Sequence, residues 1–181
     1  MVALSTWAPE DGVLGAIAPL ALAAACDTAL VVDLDPAGPG YPGSGSLAAM
    51  VRDSPTASDL SPLRRGVAVL RNGGILPDEG REVIEALLAG WPRVVFRLGR
   101  HRPPGFDGVV PVRPLLPSEW LEPLDVAAVY QPFGLRTEPP GRSIVLPRMA
   151  LATARALVAG ALPRRDRWLR AWGDVWEHPW H

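Results

Sequence analysis

Lysine is missing from this sequence: all eighteen basic residues are arginine. That excludes a Schiff-base lysine, a lysine general base and a phosphate-binding loop built on lysine. Cysteine occurs once, at Cys26, which excludes a disulfide framework and a cysteine-based metal centre. The histidines, His101, His178 and His181, lack the spacing of zinc ligands. Charge is sparse, at 20% of residues with a formal net of −1, so no bulk field draws the chain to nucleic acid or acidic lipid. The longest apolar segment, Val13 to Cys26, is interrupted by Pro19 and is too short to cross a bilayer. The first residues do not pair a basic region with an apolar run and a cleavage site, so no signal peptide is expected and the chain is expected in the cytoplasm.

What is present is a soluble-protein composition, 48% hydrophobic over 181 residues, enough for one domain with a substantial core. The chain is organised around Thr28 to Gly45, TALVVDLDPAGPGYPGSG. Its apolar run Ala29-Leu30-Val31-Val32 is β-branched and too short for a helix, so it reads as a buried strand. The run ends in Asp33-Leu34-Asp35-Pro36 and a loop rich in glycine and proline. Two carboxylates at the carboxyl end of such a strand stand where α/β sheets bind ligands.

The remaining pattern alternates in the same way. Met1 to Trp7 reads as a strand, Ala8 to Leu14 as a loop, and Gly15 to Ala25 as a helix with Pro19 tolerated in or just after its first turn. With Ala29 to Leu34 this makes a βαβ unit and predicts a parallel sheet. Further strands are expected over Gly66–Leu70, Arg93–Leu98, Val109–Val112, Val126–Tyr130 and Ser143–Leu146. Helices are expected over Leu47–Arg52, Pro77–Leu88, from Ser118 to Leu121, Arg148–Ala161 and Arg164–Glu177.

Strand, glycine loop, helix and VVDLDP, then GVAVL, an amphipathic helix and RVVFRL, resemble the MinD/ParA family of deviant Walker A ATPases, with the TadZ/CpaE-like proteins of pilus assembly among them. The most specific piece is Val31 to Gly38, VVDLDPAG, in which Asp33 and Asp35 match the family's acidic pair near the metal and attacking water. The resemblance implies an α/β fold with a mostly parallel sheet flanked by helices on both faces, of the P-loop NTPase type. The resemblance spans roughly Val2 to Gly160, and the domain is expected over residues 1–162 with a C-terminal tryptophan-rich amphipathic helix over 163–181. The family's phosphate loop, K-G-G-x-G-K-[ST]-[ST], falls here on Glu10-Asp11-Gly12-Val13-Leu14-Gly15-Ala16-Ile17. Both lysines and the magnesium-binding hydroxyl are replaced, by Glu10, Gly15 and Ala16, and Arg97 stands near the place of an acidic metal ligand. The expectation is therefore a vestigial loop (Glu10, Asp11, Gly12, Gly15, Ala16, Ile17), a vestigial acidic pair (Asp33, Asp35), no catalytic residue, no metal and no cofactor.

Other features are weaker. A salt bridge between Asp33 and Arg97 is expected to close the mouth of the sheet. The loop Gly38 to Gly45 lacks the spacing of a dinucleotide fingerprint and reads as a partner-binding switch or a plain surface loop. Arg97, Arg100, His101 and Arg102 form a basic cluster without an aromatic stacking platform. Ser5, Ser44 and Ser46 sit in no nucleophile elbow. In the tail, Trp168, Leu169, Trp172, Val175 and Trp176 fall on one helical arc of about 120°. That arc is a candidate surface for a protein partner or a membrane, or a face that packs on the chain's own core. The resulting functional expectation is a non-catalytic pseudo-ATPase scaffold of MinD/ParA type. It would bind a protein partner or itself as a homodimer, in positioning or assembly of a pilus, secretion, division or segregation system, in the cytoplasm or peripheral to the inner face of the membrane. Two alternatives stand beside it: a nucleotide-binding protein or NTPase with a rebuilt, lysine-free site, and a ParA-like DNA-binding protein, which the near-zero net charge counts against.

Overall fold

Seven short runs of Val, Leu, Ala and Phe form the strands of one wholly parallel sheet, in the order β3-β2-β4-β1-β5-β6-β7. The structure is a computed structural model and describes residues 2–10, 12–43, 45–53, 60, 66–100, 102, 104–116, 122, 124–134, 138–139 and 143–180. The strands are β1 (Val2–Trp7), β2 (Ala29–Asp33), β3 (Val67–Leu70), β4 (Arg93–Arg97), β5 (Val109–Leu115), β6 (Ala128–Pro132) and β7 (Ser143–Val145). The helices are α1 (Gly12–Ala24), α2 (Leu47–Asp53), α3 (Arg81–Gly90, preceded by a 3-10 turn at Pro77–Gly80), α4 (Leu151–Val158), α5 (Arg167–Ala171) and α6 (Gly173–Glu177).

The central strands are continuous hydrophobic runs because both faces of the sheet are covered. Alternate residues of one strand enter two different cores. Val31 and Val95 face the core under α1, while Leu30, Val32, Val94 and Phe96 face the core under α2 and α3. β5 runs to Leu115, beyond the expected end at Val112. It meets β1 only through residues 109–111 and β6 only through 112–115, so Pro111 and Pro114 each fall where the strand has a single partner.

Helix α1 departs from expectation in two ways. It starts at Gly12 rather than Gly15, so Gly12, Gly15, Ala16 and Ile17 belong to a helix and not to a loop. Pro19 lies in its middle, where the missing N–H leaves the Gly15 carbonyl without its helical donor. Leu14, Ile17, Ala18, Leu20, Ala21, Leu22 and Ala23 are all buried, on every side of the helix. A helix that is apolar all round needs a covering layer on its outer side. Helix α4 and the C-terminal tail supply it.

The tail corrects the surface reading of the tryptophan arc. Trp168, Leu169, Trp172 and Val175 are at most 2% exposed and belong to the same core as α1 and the sheet. Trp176 is half-buried and donates its indole N–H to the Leu22 carbonyl of α1 at 2.8 Å. Trp168 meets Trp172 edge to face at 5.4 Å and donates its indole N–H to Gln131 Oε1 on β6. The expected single helix is two, broken beside Gly173. Asp166 caps the first of them, accepting from the Trp168 and Leu169 amides at 2.7 and 3.1 Å. The partition at residue 162 therefore does not separate two cores. Among the described residues, no helix is long and apolar enough to cross a membrane. The helix expected at Ser118–Leu121 lies outside the described residues.

Candidate functional site

The register of the sheet builds the site. β2 and β4 are neighbours with Asp33 opposite Arg97, so carboxylate and guanidinium emerge side by side at the carboxyl end. They pair at 3.1 Å with both side chains only 2% exposed, which is the closure expected from the sequence. Arg97 also donates to Asp35 Oδ2 at 3.1 Å and to the Pro39 carbonyl at 2.7 Å, and lies over the Tyr41 ring at 5.3 Å. One buried cation thus ties together the end of β2 and the glycine-proline loop after it.

That loop is pinned at several further points. The Asp35 amide donates to Asp33 Oδ1 at 3.0 Å, and the Ala37 and Gly38 amides donate to Asp35 Oδ1 at 3.1 and 3.0 Å. Tyr41 turns inward and donates its hydroxyl to the Ala16 carbonyl of α1 at 2.7 Å. Gly38 is required by close approach: a Cβ there would stand 2.0 Å from Arg97 Nη2 and 2.1 Å from Asp35 Oδ2. The loop is a strap packed on an ionic cluster, and its glycine at 38 serves that packing. Ser44, within it, lies outside the described residues.

Burial pushes the Asp33 carboxyl up to about 6 against the opposing pull of Arg97 and the Asp35 amide. Burial likewise pushes the Tyr41 hydroxyl well above its ordinary value. Because the folded value of Asp33 lies above 3.8, Asp33 stabilises the fold fully below about pH 4 and loses that contribution as pH rises through about 6. Asp33→Asn is therefore expected to gain on the parent protein by roughly 2–3 kcal/mol between pH 4 and pH 7. Urea unfolding of both proteins across that range checks it.

A second ion pair lies under the β1–α1 turn. Arg113 of β5, only 4% exposed, donates its Nε–H to Glu10 Oε1 at 2.7 Å, and its Nη2 contacts the same oxygen. Its Nη1 donates to the Glu122 carbonyl. The sequence reading missed Arg113 because it ended β5 at Val112. The signal available was an arginine inside the apolar stretch VVPVRPL. Asp11 and His101, both singled out from the sequence, lie outside the described residues. The expected basic cluster divides: Arg97 is buried, whereas Arg100 and Arg102 are exposed.

Two cavities flank the strap. One, of about 590 Å³, lies between the β1–α1 turn, the strap and the chain after β4. Its walls are largely Ala8, Leu34, Pro39, Leu76, Pro77 and Leu98, with Arg100 and Arg102 also lining it. The other, of about 430 Å³, is bounded by Asp33 and Asp35 on one side and by Arg71 and the Asn72–Gly74 turn on the other. Among the described residues, no group of three or more His, Cys, Asp or Glu side chains is placed to hold a metal ion.

No family model matches the sequence, and no curated protein matches it. Among solved structures the chain is similar to a ParA family ATPase from Chlorobium tepidum TLS, with 13% identity over 98% of this chain and 99% of that one and a TM-score of 0.67. At this identity the likeness is one of fold. The chain shares the α/β fold of that ParA family ATPase structure, a parallel sheet with helices on both faces. The residues present do not fit the magnesium nucleotide that such a fold implies. Only Ala8 to Asp11 separate β1 from α1, position 16 is an alanine, and Asp33 and Asp35 already accept from Arg97.

Proposed function

We propose that this chain is a non-catalytic scaffold on a ParA-like fold, acting by docking a protein partner, a second copy of itself, or both. The observation that carries this reading is the internal commitment of the charges at the mouth of the sheet. Arg97 is held by Asp33, Asp35 and Pro39, and Arg113 by Glu10. A phosphate group held by Arg97 or Arg113 would have to break these buried pairs, and breaking a buried pair costs about 3–5 kcal/mol. The strap that a ligand would otherwise order is already ordered by Arg97. The family resemblance of Val31 to Gly38 makes positioning or assembly of a pilus, secretion, division or segregation system the setting for such a scaffold. Its localisation is then cytoplasmic or peripheral to the membrane through a partner.

The test is solution mass by sedimentation with and without Mg-ATP. The scaffold reading expects self-association that is present without nucleotide and unchanged by it; a nucleotide-dependent change of mass contradicts it. One observation favours a second reading, a nucleotide site rebuilt without lysine: Arg100 and Arg102 are exposed and line a cavity of the size that takes small ligands. That reading expects magnesium-dependent ATP or GTP binding.

A further inference from the structure

The cavity of about 590 Å³ beside the strap is not explained by the scaffold reading, and its chemistry is specific. Leu34, Leu76, Pro77 and Leu98 offer apolar walls. Arg100 and Arg102, both exposed, make no ion pair among the described residues. As far as Arg100 the rim is held in place. Gly99 turns the chain at φ +68°, and Trp7 at the end of β1 donates its indole N–H to the Arg100 carbonyl at 3.0 Å. The opposite wall is the strap, fixed by Arg97. A cavity with preset walls binds without first having to order them.

Leu76, 60% exposed, adds apolar surface to this lining. The fixed charge nearby limits what can enter. Asp33, Asp35 and Arg97 together carry about one net negative charge when both carboxyls are ionised, and Asp35 lines the cavity. A polyphosphate would meet that charge with only two exposed arginines to offset it. A ligand with an apolar body and a single negative charge meets neither obstacle.

We infer that this cavity is a binding site for a small amphipathic monoanion, such as an aromatic or short acyl carboxylate, with its apolar body between Leu34, Leu76, Pro77 and Leu98 and its anionic group toward Arg100 and Arg102. The inference rests on the reading that the site does not take a magnesium nucleotide. It gives the scaffold a small-molecule effector site against the strap.

The experiment is calorimetric titration of the full chain with 2-naphthoate, and with neutral 2-naphthalenemethanol for comparison, at low salt. The expected result is saturable one-to-one binding in which the carboxylate is favoured about fivefold to tenfold, a preference that fades as salt is raised. Arg100→Ala with Arg102→Ala is expected to abolish the preference while leaving binding of the neutral probe. Leu76→Ser is expected to weaken both probes. All three residues are exposed, and an unchanged unfolding midpoint confirms that the variants fold. Absence of saturable binding at millimolar probe, or a carboxylate preference that survives the double substitution, overturns the inference. If neither naphthoate nor Mg-ATP binds, the monoanion site fails and the scaffold reading stands. If Mg-ATP displaces naphthoate, the scaffold reading fails and this inference falls with it.

Discussion

Replacing Arg97 by methionine is expected to lower stability at pH 7 by about 3–5 kcal/mol, a fall in melting temperature of roughly 10 °C or more for a chain of this size. The reason is what the substitution leaves behind. Asp33 is 2% exposed and Asp35 is largely covered, and both lose the guanidinium that faces them. The strap loses its bond to the Pro39 carbonyl and its contact with the Tyr41 ring at the same time. Acidification should narrow the deficit, since the Asp33 carboxyl, already raised to about 6 beside Arg97, rises further without it and takes up a proton. Adding Asp33→Asn should recover a large part of the loss, because the costliest unpaired charge is then removed. Urea unfolding of the parent, the single variants and the double variant at pH 7 and pH 5 checks all three statements. A parent-like midpoint for Arg97→Met would mean that the ionic cluster does not organise this end of the sheet.

Trp172→Ala is expected to cost about 3–5 kcal/mol, as for other large-to-small changes of a buried aromatic side chain. Trp172 is fully buried against α1 and the edge of Trp168. Its indole N–H has no hydrogen-bond partner among the described residues, so Trp172→Phe keeps most of the volume, removes an orphaned donor and should cost far less. Unfolding midpoints of the two variants separate packing from polarity. Truncation before Arg164 should expose the outer face of α1 and yield aggregated protein. A Trp172→Ala variant as stable as the parent would return the tail to the surface and reopen the partner and membrane readings.

Much of the fold was legible because its signals are local. β2 and β4 are β-branched runs of strand length, and both were placed to within a residue of their ends. The pairing of Asp33 with Arg97 was legible too, since both stand at the carboxyl ends of strands expected in one parallel sheet, and the two strands are neighbours. What escaped was non-local. Arg113 was invisible as a partner of Glu10 because the expected strand ended at Val112 and the pair joins residues 103 apart in the chain. Pro111 and Pro114 are tolerated in β5 only because the strand changes partner between them. The start of α1 was misplaced because Gly12 reads as a loop residue, whereas the helix already runs from it.

The tail shows the same limit most clearly. Its amphipathic arc states only that one face seeks apolar contact, and the arc is the same for a membrane, a partner or the chain's own core. The deciding signal lay far away, in the absence of any charged residue from Gly12 to Cys26. A helix without a polar side cannot form the outer layer of a protein, so something in the chain must cover it. α4 and the tail do so together, and Trp176 of the tail meets α1 at Leu22.

The central claim is that Asp33, Asp35 and Arg97 at the mouth of the sheet are already committed to one another. Calorimetric titration of the purified chain with ATP and ADP in the presence of magnesium tests this most directly. The account predicts no saturable heat with either nucleotide at millimolar concentration. Micromolar magnesium-dependent binding, weakened by substitution of Asp33 or Asp35, would contradict it and make the acidic pair the centre of a working site.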